Sequence, residues 1–229
     1  MKKIDKRKNY YLVLDTETCP IDRTIEKVDP KNMLVYDIGF RVVDKNNNCY
    51  YEGSYIVSEI FFGEFDTKMQ SSYYANKIPM YLQDIANDTR KVRTWEQISF
   101  ALRKVIENYE IDVICCHNAR FDFGSIKNTE KYLDTRPLLP YLTWWDTMKI
   151  AKSVLGKMPT YIKFCQDNNF MTKHEKPQPQ YKAEVIYKYI SKDIDFIESH
   201  TGLEDTRIES AILSYCFKQH KPMEKLLFS

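Results

Sequence analysis

Tyr10-Tyr11-Leu12-Val13-Leu14 runs directly into Asp15-Thr16-Glu17. An apolar run of this kind specifies a buried strand, and here it delivers two acids to the same side of its end. Side chains alternate across a strand, so positions two apart share a face at a spacing of roughly 6 to 7 Å, within reach of one or two divalent cations. Taken alone, the tripeptide is also what opens a turn or caps a helix. Its meaning therefore rests on what accompanies it.

Two further acid-bearing segments follow, each where a strand or loop gives way to a helix. His117-Asn118-Ala119-Arg120-Phe121-Asp122 comes after Ile111-Asp112-Val113-Ile114-Cys115-Cys116, a short run of strand type. Asn118 and Asp122 are thus expected just beyond the end of a buried strand, where open α/β sheets place their ligands. In His200-Thr201-Gly202-Leu203-Glu204-Asp205, Thr201 and Glu204 have the spacing of a capping box, opening a helix through Ile208, Ile212 and Cys216. With Thr201 as N-cap, His200 lies outside the helix and Asp205 in its opening turns, so the two side chains can converge.

Asp-x-Glu, His-Asn-x-x-Phe-Asp and His-x-x-x-x-Asp in this order resemble the DEDDh, or DnaQ-like, family of 3′→5′ exonucleases. The resemblance spans Asp15 to Asp205, and Trp145-Asp146-Thr147 resembles a strand-to-helix segment that the family carries between its second and third motifs. It implies an α/β, ribonuclease H-like domain with a mixed β-sheet flanked by α-helices, here over residues 10–229 after a basic tail at 1–9. It also implies two Mg²⁺ or Mn²⁺ ions, about 4 Å apart, that drive attack of water on the terminal phosphodiester. Asp15 resembles the carboxylate bridging both ions, Glu17 and Asp205 ligands of the first, and Asp122 the ligand of the second. His200 resembles the general base, in a loop from which it would swing in when substrate arrives. Thr16, Thr18, Asn118 and Phe121 are the substrate-binding candidates. The chain departs from the family at Thr18-Cys19-Pro20, where many relatives have a small residue and then glycine. Proline stiffens the loop expected to receive the terminal nucleotide.

A length of 229 residues, 43% hydrophobic and 29% charged, fits one α/β domain, and the net charge of +2 argues against a dedicated duplex-coating protein. Lys2, Lys3, Lys6, Arg7 and Lys8 form one basic run, and Lys173, His174, Lys176 and Lys182 line a proline-containing loop; each is a solvated segment or a phosphate track. The six cysteines show no Cys-x-x-Cys pair and no secretory signal precedes them, which predicts reduced thiols and a cytoplasmic protein. No stretch reaches the roughly 20 apolar residues needed to cross a bilayer.

Strands are expected near Tyr10–Leu14, Leu34–Val43 and Cys49–Val57, with Asp44–Asn48 as a polar turn between the last two. Thr94 and Gln97 form a second capping box, and Trp95, Ile98, Leu102, Val105 and Tyr109 recur at helical spacing. The Ile111–Cys116 strand, a helix over Phe121–Leu133 and a short strand near Trp144 follow, with Asp146 as a helix N-cap. Between Glu59 and Arg93, Phe61, Phe62, Phe65, Met69, Tyr73, Tyr74, Met80 and Tyr81 suit short helices beside a cleft, either as core or as surfaces for stacking bases. His117 reads as a structural hydrogen-bonder, and Asp193, Asp195 and Glu198 as residues facing water.

The leading functional reading is a metal-dependent exonuclease acting on DNA 3′ ends, single-stranded or frayed, with any polymerase or replisome partner supplied as a separate subunit. A 3′→5′ exoribonuclease would use the same chemistry, the distinction resting on the 2′-hydroxyl. A non-catalytic nucleic-acid-binding module is the third reading, and no ligand is missing that would favour it.

Overall fold

The computed structural model describes residues 4–22 and 32–227. In chain order the elements are β1 (Tyr11–Pro20), β2 (Met33–Val43), β3 (Cys49–Val57), α1 (Ser58–Phe61), α2 (Ile78–Ala86), β4 (Lys91–Arg93), α3 (Trp95–Tyr109), β5 (Val113–Cys116), α4 (Ala119–Tyr132), β6 (Thr143–Asp146), α5 (Thr147–Leu155), α6 (Pro159–Asp167), α7 (Ala183–Ser191) and α8 (Gly202–Lys218). The strands make one mixed sheet in the order β4-β3-β2-β1-β5-β6. β2 is antiparallel to both β1 and β3, whereas β5 runs parallel to β1 and β6 parallel to β5. This is the ribonuclease H-like arrangement expected from the motifs.

Alternation along β1 builds two cores. Leu12 and Leu14 face one side with Trp95, Ile98 and Leu102 of α3 and Ile126 of α4. Tyr11 and Val13 face the other with Ile150 and Val154 of α5, Ile186 of α7, and Ile208 and Ile212 of α8. The adjacent cysteines divide in the same way, Cys115 to the second core and Cys116 to the first, as period-2 geometry requires. All six cysteines are free thiols. Continuing the period, Asp15 and Glu17 point toward α8.

β1 is longer than the apolar run predicted. Its pairing with β2 continues from Tyr11 opposite Val43 to Pro20 opposite Met33, so the acids lie within the strand rather than beyond it. A register shift between Glu17 and Thr18 kinks the ladder there, and proline occupies the last position, where a missing donor is tolerated. The Thr94 capping box forms as expected: Gln97 N donates to Thr94 Oγ1 and Thr94 N to Gln97 Oε1, both at 3.2 Å. Asp146 caps α5 by accepting from Met148 N at 2.9 Å and Lys149 N at 3.3 Å.

The segment between β3 and α3 comprises short helices plus β4, a three-residue strand that sequence pattern did not distinguish. Phe61, Met69 and Tyr81 are core, while Phe62, Tyr73 and Met80 are exposed. No helix among the described residues is long and apolar enough to cross a membrane.

Candidate metal centre

Helix α8 is seated on the sheet by two glycines. A Cβ on Gly39 of β2 would fall 1.9 Å from the carbonyl carbon of Gly202, and one on Gly202 would fall 2.6 Å from Gly39 N. Only backbone on backbone permits that approach. It brings the first turn of α8 over β1, because Gly39 pairs with Asp15.

The helix start is held by Asp37, fully buried on β2 opposite Glu17. Its Oδ2 accepts from Gly202 N at 3.2 Å, Tyr81 Oη at 3.0 Å and Arg90 Nη1 at 3.2 Å, and its Oδ1 accepts from Ser54 Oγ at 2.8 Å. Arg90 also reaches Asp84 at 2.9 Å and Glu204 at 3.1 Å. The predicted capping box at Thr201 is thereby altered. Thr201 is the N-cap by position, but its hydroxyl donates to Glu204 Oε2 and accepts no helix N–H. Asp37, distant in sequence, takes the donor the cap would have served.

The consequence is a cluster of acids. Carboxylate oxygens of Asp15, Glu17 and Asp205 lie within 4.8 Å of one another. Asp122, in the first turn of α4, joins from the other side: its Oδ1 accepts from Thr16 N at 3.1 Å and Thr16 Oγ1 at 2.8 Å. Asn118 starts that helix from a left-handed conformation (φ 65°) and donates its N–H to Asp146 Oδ1 at 3.2 Å. Asp146 therefore both caps α5 and fixes the turn that presents Asp122.

Burial and mutual repulsion hold protons on this cluster. Asp15 is pushed well above the ordinary carboxylate range by burial and then by Glu209, Asp122 and Asp205. Glu17 is raised by burial and then by Asp205. Burial lifts Asp122 to about 7, and burial with the charge of Glu198 lifts Asp205 to about 8. Asp205 Oδ1 is buried with no hydrogen-bond partner among the described residues. An all-oxygen set of this kind suits a hard divalent cation such as Mg²⁺ or Mn²⁺, which would satisfy the orphan oxygen and relieve the repulsion. The residues fit such ions.

His200 stands next to the cluster with φ 52°, immediately before α8. A ring nitrogen of His200 and carboxylate oxygens of Glu198 and Asp205 lie within 4.8 Å of one another, and Nδ1 is 3.7 Å from Glu198 Oε2. Burial and then the neighbouring Lys77 lower the His200 pKa, favouring the neutral imidazole. Glu198 corrects the sequence reading: its side chain is 12% exposed and turned to His200, not to water. Burial, then Glu184, raises it to about 7. Asp193 and Asp195 are exposed as expected. His117 is structural as expected, with Nδ1 3.0 Å from Thr147 Oγ1 and Nε2 2.7 Å from the Tyr181 carbonyl.

Of the substrate-binding candidates, Thr16 and Thr18 are buried, Thr16 committing both donors to Asp122, while Asn118 is exposed and Phe121 half-buried. Residues 1–3, with Lys2 and Lys3 of the basic run, lie outside the described residues. The rest of that run is at the far end of β1 and paired: Lys6 with Glu110, Arg7 with Asp5, Lys8 with Asp44. From Lys8 to Glu17 an extended chain covers about 30 Å, so these cations do not border the cluster.

Glu209 escaped the motif reading. It lies one turn beyond Asp205 on α8, is 3% exposed, and adds to the repulsion on Asp15. Burial and Asp122 push it well above the ordinary range, and the His117 backbone N–H donates to it. The i,i+4 spacing from Asp205 was the available signal.

No family model matches the chain, and no curated protein matches it. Solved structures do. The nuclease domain of 3′hExo, a DEDDh family member bound to rAMP, superposes with a TM-score of 0.58 at 11% identity, covering 96% of this chain and 98% of that one. A full-length 3′-exonuclease gives 0.57 at 10% identity over 98% of this chain and 66% of its own. E. coli Exonuclease I with a dT13 oligonucleotide gives 0.53 at 11% identity over 91% of this chain, which spans 41% of that protein. The protein has the ribonuclease H-like fold of the DEDDh, DnaQ-like exonucleases.

Proposed function

We propose that this protein is a metal-dependent 3′→5′ exonuclease that hydrolyses terminal phosphodiester bonds of DNA, at single-stranded or frayed 3′ ends, releasing nucleoside monophosphates. One observation carries the reading. Acids from three separated segments, Asp15 and Glu17 of β1, Asp122 of α4 and Asp205 of α8, meet beside a histidine in a fold shared with solved exonucleases.

Asp15, Glu17 and Asp205 would hold one divalent cation, and Asp15 with Asp122 a second. Such ions, when bound, lower the pKa of an attacking water and neutralise charge at the scissile phosphate. The chain's own residues do the rest. Thr16 orients Asp122 through two hydrogen bonds, and the Gly39–Gly202 contact sets Asp205 against Asp15. His200, kept neutral, accepts the proton of the attacking water. Asn118 and Phe121, at the start of α4, would contact the terminal nucleotide. Because the acids are recessed, the last base must leave its stack for the phosphate to reach them, which favours single-stranded or frayed ends.

RNA is the second reading, supported by the rAMP bound to 3′hExo, whose domain matches along nearly the whole of both chains. A partner such as a polymerase would act from a separate chain. Oligonucleotide cleavage with Mg²⁺, Mn²⁺ or chelator, for wild type, Asp15→Ala and His200→Ala, tests the assignment. Asp15→Ala abolishes cleavage; His200→Ala keeps metal binding and loses turnover. Equal activity of Asp15→Ala and wild type would sink the proposal, and loss of metal affinity in His200→Ala would make the histidine a ligand.

A further inference from the structure

We infer that Tyr74 and Lys77 form a brace that holds the His200 imidazole at the carboxylate cluster; this rests on the nuclease reading and assigns that site two positioning residues. The sequence expectation for His200 is a loop side chain that swings in with substrate. The structure shows it held from two directions.

Tyr74-Ala75-Asn76-Lys77 forms a single 3₁₀ turn, Ala75–Lys77, with Tyr74 at its N-cap. At three residues per turn, positions i and i+3 eclipse, which puts the phenol and the ammonium on one side. Lys77 Nζ accordingly lies 4.1 Å from the Tyr74 ring centroid. The same ring stacks on His200, with centroids 4.8 Å apart and planes inclined by 17°. The stack fixes the plane of the imidazole.

Lys77 fixes the backbone beneath it. Nζ donates to the His200 carbonyl at 2.9 Å and to the Ser199 carbonyl. His200 has φ 52°, in the left-handed region, and the ammonium ties the two successive carbonyls of that turn together. Tyr74 and Lys77 are both half-buried, and neither belongs to the core. Stack and clamp together keep a ring nitrogen within 4.8 Å of an Asp205 carboxylate oxygen before any substrate arrives. A proton acceptor held in place adds rate through orientation, without adding affinity.

The rival role for a half-buried tyrosine beside such a cleft is a platform for a substrate base, and for the lysine a phosphate contact. Both would act on KM. The test uses Tyr74→Leu, Tyr74→Phe, Lys77→Met and Lys77→Arg, with steady-state kinetics and NMR of ¹³C-labelled histidine in the metal-free protein, whose four histidines keep the spectrum assignable. Tyr74→Leu lowers kcat about tenfold or more with KM within about twofold, and moves the His200 ring resonance downfield as the stacked phenol is lost. Tyr74→Phe retains both the rate and the shift. Lys77→Met lowers kcat in the same way, and Lys77→Arg restores part of it. A rise in KM at unchanged kcat in Tyr74→Leu, or an unmoved His200 resonance, would overturn the brace. The resonance is read without metal or substrate, so it tests the brace even where wild type cleaves nothing, a result that would instead overturn the nuclease reading.

Discussion

Arg90→Met removes the cation paired with fully buried Asp37, at the point where α8 meets the sheet. Arg90 is itself 8% exposed and bonds Asp37 at 3.2 Å, Asp84 at 2.9 Å and Glu204 at 3.1 Å. Methionine replaces much of the side-chain volume but leaves a carboxylate in the interior with, among the described residues, the Ser54, Tyr81 and Gly202 donors. Breaking a buried pair from one side costs about 3 to 5 kcal/mol. For a chain of this size that lowers Tm by about 6 to 20 °C, measured by calorimetry at pH 8.

The loss depends on pH with a definite sign. Burial already raises the Asp37 pKa and Arg90 opposes that rise, so the variant's folded-state value climbs further. Below the unfolded carboxylate value of about 4, Asp37 is protonated in both states and the penalty vanishes. The penalty then grows as pH rises toward the raised folded value. Arg90→Met is therefore closer to wild type at pH 5 than at pH 8, and adding Asp37→Asn recovers stability at pH 8. A Tm loss below about 2 °C at pH 8, or a loss larger at pH 5 than at pH 8, would refute this account of how α8 is anchored.

Gly39→Ala puts a methyl group where Gly202 backbone lies 1.9 Å from its Cβ position, so α8 must lift. It costs about 3 kcal/mol or more in stability and weakens Mg²⁺ binding, checked by calorimetry and titration. Asp15→Asn removes one of several mutually repelling acids, so the metal-free variant melts higher than metal-free wild type at pH 8 while losing Mg²⁺ affinity. Metal-free wild type loses stability as pH rises from about 4 toward 8, because Asp122 and Asp205 titrate at about 7 and about 8 when folded and near about 4 when unfolded. Mg²⁺ accordingly raises Tm more at pH 8 than at pH 5, where protons must first be displaced. Thr16→Val deletes the hydroxyl that donates to Asp122 at 2.8 Å and lowers kcat more than stability, read from paired kinetics and melting curves.

The sequence disclosed what depends on local spacing. Asp15 and Glu17 share a strand face, Asn118 precedes Asp122 at a helix start, and His200 falls just outside the helix bearing Asp205; periods of 2 and 3.6 settle each of these. What long-range packing decides was hidden. Asp37 reads as one polar residue in an apolar strand until Arg90, Tyr81 and Gly202 are seen around it. The Thr201–Glu204 spacing is a proper capping signal, yet Arg90 claims Glu204 and Asp37 serves the helix N–H instead. Glu198 reads as solvated beside Asp193 and Asp195, yet its side chain turns in to His200, a contact that local spacing does not encode. β1 outran its apolar residues because β2 pairs with it through Pro20, a length set by the partner strand.

The central claim is that the carboxylate cluster removes nucleotides one at a time from a 3′ end. The most direct measurement is the product ladder from 5′-labelled single-stranded DNA and RNA of matched sequence, with Mg²⁺, Mn²⁺ or chelator, for wild type and Asp15→Ala. The account predicts stepwise shortening from the 3′ end that needs both the metal and Asp15, with DNA cleaved in preference to RNA. Intact strands of both kinds in the presence of folded, nucleic-acid-binding protein and metal would contradict it.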